Sequence, residues 1–283
     1  MRIAYFTAGT VGAGHLVRGL AIERALARRG FTGTYRAFGP RLPFPIAAGT
    51  GMTPVTIVKE EVRDPVRAVT SELARTLATF QPDLVVVDMF WAPLRHVLPM
   101  LGCEAWLLVR SCPPAWFGGP PDTRYEASQF RRVIGIEPIE RAEVREHVDP
   151  VVVCNPDECR PAGALRTRLR VPAGQRLVAV VHAGIAGEMM QLDTGDDEAA
   201  LFDLFADDAL FPLAEWLGDA DEIHCAAGYN SFWEAHWLGY ASRAHFTALP
   251  RQIDDQAWRI SRCTGHPMSA NGADTLAGWM IGG

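Results

Sequence analysis

The chain is 283 residues long, with 27 basic and 33 acidic residues, and is 48% hydrophobic and 21% charged. That balance excludes a disordered or coiled-coil chain, and a net charge of −6 argues against a nucleic-acid binder, which needs a cationic surface to displace counterions. Lys59 is the only lysine and lies in Val58-Lys59-Glu60-Glu61 without a glycine-rich lead-in, so P-loop and Schiff-base chemistry is set aside.

Arg2 to Thr7 reads as a core strand, so no secretory leader is expected. Ala8 to Gly14 is a glycine-rich turn. His15 to Arg29 has apolar Leu16, Leu20, Ala21 and Ala25 at helical spacing, with Gly30 as its C-cap. This is the opening unit of a doubly wound α/β domain. Asp64 to Phe80 is predicted as one amphipathic helix with Pro65 in its first turn. Leu84 to Asp88 and Ala105 to Val109 read as strands, Cys112 to Pro121 as an aromatic-rich loop, and Val151 to Cys154 as a short strand. A Pro-, Arg- and Gly-rich boundary over residues 156–174 separates an N-terminal domain, 1–160, from a C-terminal one, 174–283.

The second half repeats the pattern. Leu177 to His182 is a predicted strand, followed by a second glycine turn, Ala183 to Gly187. Glu222 to Ala226 is another strand, then a third glycine turn, Ala227 to Ser231, and a helix from Phe232 to Leu238. Arg243 to Leu249 reads as strand and Asp254 to Cys263 as helix. Alternating strand and helix in both halves argues for two Rossmann-like parallel-sheet domains. Residues 188–210 are acidic and weakly apolar where a further strand and helix would be needed, so the C-terminal domain is expected to be reduced. The six cysteines form no C-x-x-C pair and no run of 18 apolar residues occurs; a reduced, cytoplasmic protein without disulfides or a transmembrane segment is expected.

Four segments offer chemistry. In Gly9-Thr10-Val11-Gly12-Ala13-Gly14-His15 the strand-to-helix turn favours close approach of an anion, although its G-x-x-G-x-G spacing fails the dinucleotide fingerprint. His15 suits a general base near neutral pH, or is a capping histidine. In Gly228-Tyr229-Asn230-Ser231 the amides of a helix start suit a diphosphate; Ser231 with Glu234 is alternatively a plain capping box. Arg251 to Gln256 opens a helix with Asp255 and Gln256, which can bond sugar hydroxyls or cap. Gly184 to Glu188 is a further anion-binding turn. Asp219-Ala220-Asp221 spells D-x-D but precedes a strand, and reads as surface charge; Cys154-x4-Cys159 is a poor metal pair.

Taken in order, these segments resemble the GT-B glycosyltransferases that use nucleotide sugars. The likeness is to the bacterial transferases that add N-acetylglucosamine to the lipid-linked cell-wall precursor, and to related UDP-glycosyltransferases. It covers residues 1–30 and 177–263. The resemblance implies two domains facing a cleft, an acceptor side in the first and a nucleotide-sugar side in the second. It implies a metal-independent inverting transfer with no cofactor, in which His15 deprotonates the acceptor hydroxyl. Gly12, Gly14, Gly184, Gly187, Gly228, Asn230 and Ser231 would line the donor phosphates, Glu234 the ribose, and Asp255 with Gln256 the sugar. Asp88, at the end of a strand in the same sheet, is placed to orient His15, or is a core aspartate. The acceptor would be a small molecule or lipid-linked, the latter with peripheral membrane contact. Two alternatives stay open. Gly12-Ala13-Gly14-His15-Leu16-Val17-Arg18 is also similar to the start of the pseudaminic-acid-pathway UDP-sugar hydrolases, where water replaces the acceptor. The short second half would also suit a non-catalytic sugar-nucleotide binder or one subunit of a split transferase. The sequence leaves the acceptor, sugar, base and oligomeric state open.

Overall fold

A computed structural model describes residues 1–282 other than 11, 44–50, 121–122, 183, 186–187, 193–199, 204–205 and 207. Its contacts divide the chain into two compact units. The first contains Met1–Thr10, Ala27–Leu42 and most residues up to Asp149; the second contains Val11–Leu26 and Pro150–Gly283.

In the first unit, β1 (Arg2–Phe6) and β4 (Leu84–Asp88) are apolar runs buried on both faces, as central parallel strands are. They pair in parallel, Tyr5 beside Val86. The sheet grows outward through β2 (Thr34–Gly39) and β3 (Thr53–Pro54) on one side, and β5 (Glu104–Val109), β6 (Arg132–Gly135) and β7 (Glu146–His147) on the other. The order β3-β2-β1-β4-β5-β6-β7, parallel throughout, is that of a doubly wound domain.

Helix α1 (Gly14–Arg28) ends at Gly30, whose φ of +70° suits the expected glycine C-cap. The single helix expected over 64–80 is instead three pieces: α2 (Lys59–Arg63), α3 (Pro65–Ala68) and α4 (Glu72–Phe80). Local capping wins over the longer periodicity. Asp64 turns extended before Pro65 and accepts the Val66 and Arg67 amides, and Ser71 accepts the Ala74 amide. One short helix, α5 (Leu98–Leu101), precedes β5.

The second unit holds α6 (Ala164–Leu169), β8 (Val178–His182), β9 (Ala200–Asp203), β10 (Glu222–Ala226), α7 (Tyr229–Trp237), β11 (Ala244–Thr247), α8 (Gln256–Cys263) and α9 (Gly272–Gly282). Its strands are parallel in the order β11-β10-β8-β9. Alternation sets the two faces: Ala179 and Val181 of β8 and Ile223 and Cys225 of β10 enter one core with Leu165, Ala235 and Tyr240. The acidic stretch 188–210, read as lacking a strand, supplies β9, which pairs Val180 with Leu201.

Val151 to Cys154 is not a strand. Its backbone is held by side chains: Val151 N–H donates to the Tyr229 hydroxyl (2.7 Å), and Asn271 brackets Val152 from both its amide and its carbonyl. The Asp219 and Asp221 carboxylates are taken by backbone amides, Asp219 from Gly163 and Leu165 and Asp221 from Leu177, all at 2.7 Å. With the Leu177 amide foremost, and Arg166 beside it, the Asp221 carboxyl is held below its usual range. All six cysteines are free thiols; burial pushes Cys225 up to about 12 and Cys154 higher still, which removes them as nucleophiles.

Candidate active site

Strand β10 runs into Gly228, which stands extended at the N-cap of α7 and offers no side-chain cap. The first helical bond is from Phe232 N–H to the Gly228 carbonyl (3.0 Å), so the amides of Tyr229, Asn230 and Ser231 have no acceptor within the helix. Asn230 and Ser231 therefore occupy the first turn and do not cap it. Against this helix start lies the beginning of α1, which belongs to the same unit. Gly12, with φ +68°, turns the chain into α1; a side chain would be strained there. The Asn230 amide donates to the Gly14 carbonyl (3.2 Å).

His15 is buried, 7% exposed, in the first turn of α1. Three residues on, one helical turn along the same face, stands Arg18, only 2% exposed. In its guanidinium, Nη2 donates to His15 Nδ1 (2.8 Å), Nη1 donates to Asn230 Oδ1 (3.3 Å), and the Cζ lies 4.8 Å over the Tyr229 ring. Arginine has no lone pair to offer and stays protonated. His15 Nδ1 is therefore the acceptor, and the neutral ring carries its proton on Nε2.

A second arginine ties the same turn to the Arg251–Gln256 segment. Fully buried Arg259 of α8 donates to the Ala227 carbonyl and to Asp254 Oδ1, both at 2.7 Å, and its guanidinium lies 5.9 Å from the Tyr229 ring. Asp255 caps α8 by accepting the Trp258 amide (2.8 Å). Gln256 is buried; its carbonyl accepts the Leu249 amide (2.9 Å) and its amide donates to Asp254 (3.2 Å).

A third arginine closes the Gly184 turn. Arg251 makes a two-pronged pair with Glu188, 2.6 Å on each arm, and Glu188 also accepts the Ile185 amide at 3.0 Å. A side chain at Gly184 would come within 2.6 Å of Glu188 and 2.9 Å of Arg251, so the ends of both side chains would have to shift to admit one. Burial alone would raise the Glu188 carboxyl; the Arg251 and Ile185 hydrogen bonds and the Arg251 charge together hold it below its usual range. Gly187 lies outside the described residues.

Glu234, one turn into α7, is 9% exposed, and its Oε1 has no hydrogen-bond partner among the described residues. Burial pushes its carboxyl up to about 8, against the lowering effect of a bond from the Val153 backbone. It forms no capping box with Ser231, which is not at the N-cap. In the first unit, Asp88 is fully buried and accepts the Tyr5 hydroxyl. The loop read as aromatic-rich forms, with Trp91 and Tyr125, a ring cluster in which Trp91 stacks on Phe117 at 4.9 Å and meets Tyr125 edge-on at 5.6 Å.

The structure thus joins Gly14, His15 and Asn230 through Arg18, the Gly228 turn and Asp254 through Arg259, and the Gly184 turn and Pro250–Arg251 through Glu188. The sequence carried Arg18 only as the last residue of the hydrolase-like Gly-x-Gly-His-x-x-Arg motif, and did not place Arg259 in the site. The signal for Arg18 was its position one turn after His15; Arg259 carried none, because an arginine inside an amphipathic helix ordinarily faces solvent.

No protein-family model and no curated protein matches the chain. Solved structures do. The spinosyn rhamnosyltransferase SpnG, complexed with spinosyn aglycone, matches all of this chain and 92% of its own, with TM-score 0.59 at 16% identity. The glycosyltransferase VinC, in complex with DTDP, matches 99% of this chain and 90% of its own, with TM-score 0.53 at 13% identity. UGT2 of Phytolacca americana, complexed with UDP-2fluoro-glucose and pterostilbene, matches 98% of this chain and 88% of its own, with TM-score 0.55 at 14% identity. What is shared at such identities is the fold. Two parallel-sheet α/β units in one chain, matched over nearly its whole length, place it in the GT-B fold of these glycosyltransferases.

Proposed function

We propose that the chain is a metal-independent, inverting glycosyltransferase that moves a sugar from a nucleotide-sugar donor to an acceptor hydroxyl, with His15 as general base. The observation that carries this reading is the junction of His15 and Arg18 with Asn230 and Tyr229 at an uncapped helix start. A buried guanidinium beside a helix start whose cap residue has no side chain is an anion site, and a diphosphate is the anion of a nucleotide sugar. Complexes of DTDP with VinC and of a UDP-sugar analogue with UGT2 support a donor of either base.

In this account the diphosphate takes the amides of Tyr229, Asn230 and Ser231 and draws Arg18 off His15, because a phosphate oxygen is a stronger acceptor for guanidinium than a neutral imidazole. His15 is then released from the contact that ties up its Nδ1 lone pair. The freed Nδ1 lone pair serves as the base, the proton staying on Nε2. The acceptor oxygen attacks the anomeric carbon from the face opposite the diphosphate, its proton passes to His15, and the breaking C–O bond leaves its electron pair on the nucleoside diphosphate. The helix start and Arg18 stabilise that developing charge. Glu234 Oε1, a buried acceptor without a partner among the described residues, is assigned to a ribose hydroxyl. Asp255 and Gln256 are assigned to the sugar, and Gly12, Gly14, Gly184, Gly187 and Gly228 to close approach of the donor. Apart from the donor contacts of Gly12, Gly14 and Arg18, residues 1–160 serve the acceptor and 174–283 the donor, in the cytoplasm. No helix among the described residues is long and apolar enough to cross a membrane. The aglycone bound to SpnG and the pterostilbene bound to UGT2 favour a small-molecule acceptor over a lipid-linked one.

One observation favours a second reading. Arg18 completes Gly-x-Gly-His-x-x-Arg and contacts the histidine directly, which suits a hydrolase that activates water at the same site. Incubation with UDP- and dTDP-sugars, with and without phenolic and aglycone acceptors, separates the readings. Nucleoside diphosphate released only with acceptor supports the transferase, and release into water alone supports the hydrolase. Binding without release contradicts both.

A further inference from the structure

One cluster of metal-ligating side chains lies apart from the proposed site. On β10, Ile223 and Cys225 enter the core of the second unit, so Glu222 and His224 project from the other face of the sheet. His224 pairs in register with His245 on the edge strand β11. Two positions i and i+2 on one strand, with the direct neighbour of one of them on the next, form a triangle with sides of about 5–8 Å, small enough for three side chains to meet at a point above the sheet. They do meet. Glu222 Oε1 is 2.7 Å from His224 Nε2 and 3.1 Å from His245 Nε2. The imidazoles stack with centroids 4.6 Å apart and planes 17° apart, and one ligand atom from each of the three residues lies within 4.8 Å of the others.

We propose that Glu222, His224 and His245 bind one divalent transition-metal ion of the zinc type. Two imidazole nitrogens and one carboxylate oxygen are a donor set that zinc takes with its fourth position open to water. Tetrahedral ligands about 2.0–2.1 Å from the ion stand about 3.3 Å from one another, so the side chains need only small rotations to admit it. Glu222 keeps its second oxygen on Arg176, an outer partner that fixes the carboxylate's direction. His245 is 59% exposed, so the ion has a route in, while His224 at 16% and Glu222 at 20% form the floor. A bound ion would pin the edge strand β11 to β10. Those two strands lead to the Gly228 turn and to the Arg251–Gln256 segment, so the ion would steady the proposed donor elements without touching the reacting atoms.

The test uses untagged full-length protein titrated with Zn²⁺ by calorimetry and with Co²⁺ by absorption spectroscopy, for the wild type, His245→Ala and Glu222→Gln. The expected result is one equivalent bound, intense tetrahedral cobalt bands without a sulfur charge-transfer band, and at least tenfold weaker binding in both variants. His245 is exposed, so its loss leaves the fold intact; a circular dichroism spectrum checks this. The inference is overturned if His245→Ala binds like the wild type, if cobalt remains octahedral, or if a thiolate band shows that the ion sits on cysteine. The readout is metal binding itself, so it stands or falls independently of glycosyl transfer.

Discussion

Two glycine turns follow neighbouring strands of one sheet in the second unit, yet they are filled differently. After β8, the Gly184 turn is occupied by the chain's own anion: the Glu188 carboxylate accepts the Ile185 amide and is clamped by Arg251. After β10, the Gly228 turn has no side-chain cap, and a buried guanidinium, Arg18, faces it from α1. One turn thus meets an internal carboxylate at the Ile185 amide, and the other is suited to an external anion. A glycine-rich strand-to-helix turn is therefore not a phosphate site by itself; what neutralises its amides decides. On this comparison the donor diphosphate belongs at Gly228, and Gly184 contributes only where Glu188 releases it.

The largest expected effect tests the histidine held by that arginine. His15→Ala should lower the rate of transfer about 10²–10⁴-fold with the donor KM little changed, the usual loss on removing a positioned general base. A rate within threefold of wild type would remove His15 from the chemistry. Next is the cation itself. Arg18→Met keeps the aliphatic bulk and removes charge-assisted bonds of about 1.5–3 kcal/mol, so the donor KM should rise about 10–100-fold. A change in kcat alone would assign Arg18 to orienting His15 instead.

Two smaller effects sharpen the contrast. The Glu234 carboxyl is pushed up to about 8 in the fold, from an ordinary value of 4.5. A raised carboxyl contributes stability that is fully present below about 4.5 and is lost as pH rises through about 8, because only the unfolded chain ionises in between. Glu234→Gln should therefore gain on the wild type in melting temperature between those limits, by about 2–4 °C per kcal/mol, and hold the gain above them. Parallel melting curves at every pH would place the carboxylate in solvent. Glu188 has the opposite sign: its carboxyl is held low, so its stabilisation is present above about 4.5 and disappears as pH falls through the lowered value. Glu188→Gln should lower the melting temperature at pH 7, lose that difference in acid, and leave donor affinity within threefold.

Much of the fold was legible because it rests on local signals. The apolar runs at Arg2–Phe6, Leu84–Asp88 and Val178–His182 are central strands buried on both faces, and such runs stand out in any window. The edge strands β3, β7 and β9 did not stand out. They are two to four residues long, partly exposed, and owe their conformation to a neighbour already in place. Val151 to Cys154 failed for the converse reason: its apolar residues are buried, but their backbone bonds go to Tyr229 and Asn271, side chains 78 and 119 positions away. At the site, the sequence located the turns and His15. It did not reveal that buried arginines link them, because that depends on which helices meet. The scarcity of lysine was the available hint. A guanidinium presents five donors in a fixed planar fork, where an ammonium is a compact, strongly hydrated point charge, and Arg18, Arg251 and Arg259 each bridge at least two acceptors.

The most direct test of the central claim is a calorimetric titration of UDP and dTDP into the wild type, Arg18→Met and Glu188→Gln. The account predicts that at least one nucleotide binds the wild type, that Arg18→Met weakens it tenfold or more, and that Glu188→Gln leaves it nearly unchanged. Equal affinity in Arg18→Met, or a selective loss in Glu188→Gln, would contradict the account by placing the diphosphate away from the Gly228 turn.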